Sequence, residues 1–237
     1  MTLFSVPRPA VVGHRGAPAD APENSPEAFA AAATAGATWV ELDARFSSDG
    51  IVVVHHDPQT DDGVPLGERT AAELHEVGVW RLDTILDGLP AELGVDVEVK
   101  NAPIEPGYHE DGSLARTVAS MVGHRMEQRR FCTSSFNPYD VAEMAGALPD
   151  VPAGQLYQDS LPTESAIAIA REHGARILCA PVGGLDRDGL LAAHAAGLEV
   201  LVWTVNDLDH AMSLADWGVE AICTDDPQGL AQRLTAR

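Results

Sequence analysis

The sequence is poor in aromatic residues, in basic residues and in thiols, and it has no long apolar run. Aromatics make up 5% of the 237 residues. Alanine is abundant instead, which suits helices that meet through small side chains. Fifteen Lys and Arg face 36 Asp and Glu, a formal net charge of -21. That imbalance argues against nucleic acid or an anionic membrane as a partner. A phosphate-bearing substrate then needs a bound cation or a local basic cluster at its site. The three cysteines, Cys132, Cys179 and Cys223, are odd in number, widely spaced and free of any CxxC. Neither a disulfide framework nor a zinc site is indicated. Each lies in an apolar, strand-like run, so buried free thiols and a cytoplasmic location are expected. No run approaches the roughly 18 apolar residues of a membrane span. Met1 to Pro9 lacks an apolar signal-peptide core, so no secretory leader is expected.

What is present alternates. Short β-branched runs are followed by alanine-rich runs with helical spacing, without a low-complexity tract or a linker. At 45% hydrophobic, the chain can bury one sizeable core, and a single domain over residues 1–237 is expected. Strands are expected at Ala10–Gly13, Thr38–Asp43, Val95–Val99, Arg130–Ser134, Ala153–Tyr157, Arg176–Ala180, Glu199–Thr204 and Ala221–Thr224. Helices are expected between them, including Ser113–Glu127. The extended run Ile51–His55 reads either as a hairpin arm or as a further barrel strand. With the arm reading there are eight strand–helix units, which favour an α/β fold, the (β/α)8 TIM barrel. A small insertion after the second strand then occupies about residues 44–86. A doubly wound open sheet fits less well, because no Gly-rich dinucleotide fingerprint follows the first strand.

In such a barrel, chemistry sits where strands end. The first strand runs into His14-Arg15 between Gly13 and Gly16. The second carries Glu41 and Asp43 on one face, because side chains two apart share a face. Glu98 and Lys100 share a face in the same way. Glu41, Asp43 and Glu98 can therefore converge, and a carboxylate cluster repels itself unless a cation joins it. Oxygen-only donors suit a hard divalent ion, Mg2+ or Ca2+. His14 and His56 flank the same rim and can serve as acid and base near neutral pH. Arg15 and Lys100 add fixed positive charge. His55, adjacent to His56, must point elsewhere and reads as structural. This set suits displacement at a phosphoryl group.

The set His14-Arg15-Gly16, Glu23-Asn24-Ser25, Glu41-Leu42-Asp43, Asp49-Gly50, Val54-His55-His56-Asp57 and Glu98-Val99-Lys100 resembles the glycerophosphodiester phosphodiesterases. Trp203-Thr204-Val205-Asn206 is similar to that family's seventh-strand motif. The resemblance implies a TIM barrel, a divalent ion, and hydrolysis of a small glycerophosphodiester to an alcohol and sn-glycerol 3-phosphate. It also implies roles. His14 and His56 form the catalytic pair; that His14 is the one nearer the nucleophile is an expectation the resemblance does not itself supply. Glu41, Asp43 and Glu98 bind the metal. Arg15 and Lys100 contact the phosphate, and Glu23 and Asn24 fill the loop that supports the first histidine. Trp203 and Phe136 wall the glycerol side. A homodimer is compatible with this reading. The nucleophile is either water or the substrate's own 2-hydroxyl. Two alternatives stay open: a lysophospholipase D-like activity, and a barrel that holds a glycerophosphate without turnover. A lysophospholipid needs an apolar or basic entrance, and the acidic loop from Asp57 to Glu68 offers neither.

Overall fold

The computed structural model describes Phe4 and residues 9–236. The stretch read for a signal peptide therefore lies largely outside the described residues. Strand β1 (Ala10–Gly13) is fully buried and ends in a tight turn, closed by the Gly16 amide donating to the Gly13 carbonyl at 3.2 Å. Gly16 has φ +94, and a Cβ there would lie 2.6 Å from the Ala28 backbone. No L side chain fits that turn. Helix α1 (Pro26–Thr34) starts as its sequence dictates, with Pro26 in the first turn and Ser25 as the N-cap. The Ser25 hydroxyl accepts from the Ala28 amide at 3.1 Å.

Strand β2 (Trp39–Phe46) continues three residues past the expected end at Asp43. Its extension acquires an antiparallel partner, β3 (Val52–Val54), which pairs with Ala44 to Phe46. The run Ile51–His55 is thus an arm. After helix α2 (Ala71–Glu76), a two-residue strand β4 (Trp80–Arg81) adds to the arm, a piece too short to announce itself by alternation. Helix α3 (Leu82–Gly88) returns the chain to β5 (Gly94–Val99). Helix α4 (Ser113–Gly123) stops short of the expected Glu127. His124 turns its Nδ1 onto the Ser120 carbonyl at 2.6 Å, and Arg125 donates to the Met121 carbonyl at 3.1 Å. These side chains cap the last turn.

The remainder follows the expected alternation: β6 (Phe131–Ser135), α5 (Pro138–Ala147), β7 (Ala153–Leu156), α6 (Thr163–Glu172), β8 (Ile177–Pro181), α7 (Arg187–Ala195), β9 (Glu199–Trp203), α8 (Leu208–Trp217), β10 (Ala221–Thr224) and α9 (Pro227–Thr235). Parallel pairing runs β1-β10-β9-β8-β7-β6-β5-β2, and β2 pairs back onto β1. The eight parallel strands close a (β/α)8 barrel, with β3 and β4 outside the ring.

Alternation sorts the strands' side chains into two layers. Val40, Leu42 and Ala44 of β2, with Val95, Val97 and Val99 of β5, face outward and pack under the helices. Trp39, Cys132, Cys179 and Cys223 face inward and fill the barrel with Phe4, whose ring meets Trp39 edge-on at 5.1 Å. The three thiols are buried and unpaired. Glu41, Asp43, Asp96 and Glu98 continue the inward series toward the rim. Register places Glu41 beside Asp96 and Asp43 beside Glu98. The two carboxylate pairs are on neighbouring strands because the arm, not a barrel strand, separates them in sequence. Among the described residues, no helix is long and apolar enough to cross a membrane.

Candidate active site

The acidic cluster forms at the inner rim of β2 and β5. Glu41, Asp43 and Glu98 each offer an oxygen, all within 4.8 Å of one another. Arg15, held at φ 54, turns its amide inward to donate to Glu41 Oε2 at 2.9 Å. Asn24, at φ 58, reaches across to donate to Asp43 Oδ2 at 2.8 Å. Two left-handed non-glycine residues thus serve the same cluster, a concentration of backbone strain typical of functional sites. The Arg15 guanidinium lies 3.4 Å from Asp43 and donates to Glu23 at 3.1 Å. Lys100, the only lysine in the chain, places its ammonium 2.9 Å from Glu98 and 3.5 Å from Asp43.

These contacts do not saturate the carboxylates. Glu41 Oε1 and Asp43 Oδ1 are buried without a hydrogen-bond partner. Burial, with Asp43, Glu98 and Asp96 beside it, pushes the Glu41 carboxyl well above the ordinary range. Burial also raises Glu98, although Lys100 opposes it. Burial would raise Asp43 too, but Lys100 and Arg15 hold it below the ordinary range. Orphaned oxygens in a buried, self-repelling, all-oxygen set fit a hard divalent cation.

Each histidine is fixed by a carboxylate. His14 Nδ1 lies 2.7 Å from Asp225 Oδ1, and His56 Nδ1 lies 2.7 Å from Asp57 Oδ1. The hydrogen bond from His14 holds Asp225 below the ordinary carboxylate range, and the one from His56 does the same for Asp57. An ionised carboxylate can only accept, so each Nδ1 carries the proton. In the neutral rings Nε2 is then left as a free acceptor. Burial, reinforced by Lys100 and Arg15, moves His56 below the ordinary imidazole range despite the attraction of Asp43. His55 is turned away, as expected, with Nε2 3.1 Å from the Gln59 carbonyl.

The loop after His14 is tied to the neighbouring Arg15, whose carbonyl accepts from the Asn24 amide at 3.0 Å, and the ring itself is held from elsewhere. Glu23 holds Arg15 and Asn24 holds Asp43, while Asp225, 211 residues away, holds His14. Asp225 is itself held by Asn206, whose Nδ2 donates at 2.6 Å. Arg45 is a residue the sequence reading passed over. Its buried guanidinium donates to the His56 carbonyl at 2.8 Å, the Lys100 carbonyl at 3.5 Å and Glu105 at 2.9 Å. It continues the period-two series of Glu41 and Asp43, and was concealed only by ending that strand too early. Replacing Asp225 with alanine should lower kcat about 10- to 100-fold, the usual effect of losing a group that orients a reacting side chain. KM and melting temperature should change little. Unchanged kcat in a steady-state assay would remove Asp225 from the machinery.

His14, Arg15, His56, Glu98, Lys100, Phe136 and Trp203 line one cavity of about 740 Å³. Glu41 and Asp43 are buried behind it. Trp203 is locked by its indole donating to the Cys179 carbonyl at 3.0 Å, and Phe136 meets it edge-on at 5.6 Å. The sequence-predicted residues therefore converge. The expected small insertion contributes only His56 to this wall. Most of the rest comes from the loop after β5, from Phe136 just past β6, from the end of β7 and the loop that follows it, and from α6.

The loop after β5 is pinned from beneath. Asn101 donates to the His109 carbonyl at 3.0 Å and to buried Asp140 at 3.2 Å. Burial, partly offset by hydrogen bonds from Asn101 and Asn137, raises the Asp140 carboxyl to about 6. The folded state thus binds this proton more tightly than the unfolded chain, whose aspartate titrates near 3.9. The resulting stabilisation is complete below about pH 4 and lost as pH rises through about 6. Relative to wild type, Asp140→Asn should gain on the order of 2–3 kcal/mol between about pH 4 and 7. Denaturant unfolding across that range reads the difference, and a pH-independent difference would contradict it.

Comparison with known proteins gives one consistent result. The sequence profile of the glycerophosphoryl diester phosphodiesterase family matches residues 14–229. A glycerophosphodiester phosphodiesterase of Caldanaerobacter subterraneus is 27% identical, over 93% of this chain and 95% of its own. The crystal structure of a glycerophosphodiester phosphodiesterase from Agrobacterium tumefaciens superposes with a TM-score of 0.77 at 26% identity, covering 94% of this chain and 99% of that one. The fold is also that of an Oleispira antarctica phosphodiesterase solved with sn-glycerol-3-phosphate, with a TM-score of 0.81 at 24% identity, covering 96% of this chain and 97% of that one.

Proposed function

The chain belongs to the glycerophosphoryl diester phosphodiesterase family, and from that membership we propose that it hydrolyses glycerophosphodiesters to an alcohol and sn-glycerol 3-phosphate. The observation that carries this is the meeting, on one rim, of an under-bonded carboxylate trio and two histidines with Nε2 free.

Glu41, Asp43 and Glu98 would hold a divalent ion, Mg2+ or Ca2+, which when bound would supply positive charge to offset that of the phosphodiester. Arg15 and Lys100 clamp the phosphate and neutralise charge that grows on its equatorial oxygens. His14, oriented by Asp225, takes the proton of the nucleophile at Nε2. His56, oriented by Asp57, gives a proton to the departing alkoxide. Burial keeps its basicity low, which makes it a ready donor once the anionic phosphodiester favours its imidazolium. Phe136 and Trp203 form a rigid apolar wall for the glycerol. Arg45 holds the backbone of both His56 and Lys100, so acid and clamp keep a fixed separation. The three unpaired thiols suit a reducing compartment such as the cytoplasm.

The test is direct. Glycerophosphocholine incubated with the protein and Mg2+ or Ca2+ should release choline and sn-glycerol 3-phosphate in equal amounts. Release of choline phosphate instead, or no turnover with either ion, would overturn the proposal.

A further inference from the structure

A second cavity, of about 390 Å³, lies where the end of the loop after β5 meets the start of α5. It shares no lining residue with the active-site cavity. Tyr108, His109 and Tyr139 flank it, and Glu110, Asp111 and Glu143 line it as exposed carboxylates. Among the described residues no lysine or arginine lines it. Arg116 reaches only the exposed Glu143, at 3.4 Å. The fourth carboxylate, Asp140, is 1% exposed. Its Oδ1 accepts from Asn101 at 3.2 Å. Its Oδ2 is buried with no hydrogen-bond partner, while Asn137 commits its own amide to the Asn101 carbonyl at 3.1 Å. A buried carboxylate oxygen left unmet is costly, and either a proton or a ligand's donor relieves it.

The chemistry of the lining narrows the ligand. An anion would face four carboxylates, and the helix starts do not help it. The Ser113 amide already donates to Asp111 at 2.9 Å, and the Tyr139 amide to Asn137 at 3.1 Å. A metal ion fits no better, because these carboxylates are spread apart. Among the described residues, the trio with oxygens within 4.8 Å of one another is the one at the barrel rim. Dispersed negative charge beside two tyrosine rings suits a cation with an apolar body. The unmet oxygen further requires that this cation donate an N–H, which a quaternary ammonium cannot do. We propose that this cavity binds a small aliphatic amine, whose ammonium donates to Asp140 Oδ2 and whose alkyl stem lies against Tyr108 and Tyr139. The inference does not rest on the phosphodiesterase reading, and neither falls with the other.

The experiment is calorimetric titration of the whole protein with butylamine at fixed ionic strength. At about pH 8 the Asp140 carboxyl is ionised and the amine still carries its proton. One butylammonium should bind per chain with a Kd on the order of 1 mM, within reach of a ligand of about five non-hydrogen atoms. Asp140→Asn keeps an acceptor for Asn101 but can turn an N–H toward the cavity, and it should weaken binding about 10- to 100-fold, as expected for losing a hydrogen bond to a charged group. Tyr139 is 72% exposed, so Tyr139→Ala should fold normally, and it should weaken binding about two- to fivefold. Tetramethylammonium, which has no N–H, should bind at least about tenfold more weakly than butylammonium. The absence of saturable heat from butylamine overturns the site. Heat that persists unchanged in both variants belongs to the acidic barrel rim and overturns it equally. Equal binding of the two cations overturns the assignment of the ligand as an N–H donor.

Discussion

Replacing His56 with alanine should lower kcat on glycerophosphocholine about 10²–10⁴-fold, the range for removing a general acid or base. The defect should be much smaller on an analogue whose leaving group is a nitrophenol. The reason lies in the geometry at Asp57. That carboxylate keeps the Nδ1 proton of His56 in a 2.7 Å hydrogen bond, which leaves only Nε2 to exchange a proton with substrate. A nitrophenolate departs without that proton, whereas an alkoxide does not. His14→Ala should lose a similar factor on both substrates, because attack is impaired whatever departs. Steady-state assays with the two substrates give the comparison. Equal losses for His56→Ala on both would reverse the assignment of the two rings.

Glu41→Gln should lower kcat/KM at least about 100-fold, since a direct ligand matters no less than the outer groups whose loss costs 10- to 100-fold. The same change should not destabilise the metal-free protein. Burial and three neighbouring carboxylates already disfavour the Glu41 anion, and glutamine removes that repulsion while keeping an acceptor for the Arg15 amide. The ion's effect on stability then separates the two roles. At a hundredfold excess over its Kd, a ligand adds about 2.7 kcal/mol to wild-type stability, roughly 5–10 °C in Tm for a chain of this size. The variant should show little of that shift. Scanning calorimetry with and without Mg2+ or Ca2+ reads it, and an equal shift in both proteins would place the ion elsewhere.

The parts legible in the sequence are those fixed by local periodicity. Glu41 with Asp43, and Glu98 with Lys100, are same-face pairs in any strand, and the barrel needed only to set β2 beside β5. The glycines around His14-Arg15 marked the end of the first strand, and Gly16 proves to have no room for a side chain. Three features resisted. The valines of β3 read alike in a parallel or an antiparallel strand, so only its pairing with Ala44 to Phe46 settled the arm. Asp225 directly follows the expected strand Ala221–Thr224, but its meeting with His14 depends on β10 closing against β1, a contact across the whole chain. The apolar part of the cavity wall is assembled from Ile104, Phe136, Leu161 and Ile169, which lie on separate segments and form no motif.

The central claim is that the rim of this barrel cleaves a glycerophosphodiester with a divalent ion held by Glu41, Asp43 and Glu98. Its most direct test is release of sn-glycerol 3-phosphate by protein stripped with a chelator and then titrated with Mg2+ or Ca2+. The account predicts negligible release from the stripped protein and full recovery as one ion per chain is bound. Undiminished release from protein in which elemental analysis finds no metal would contradict it.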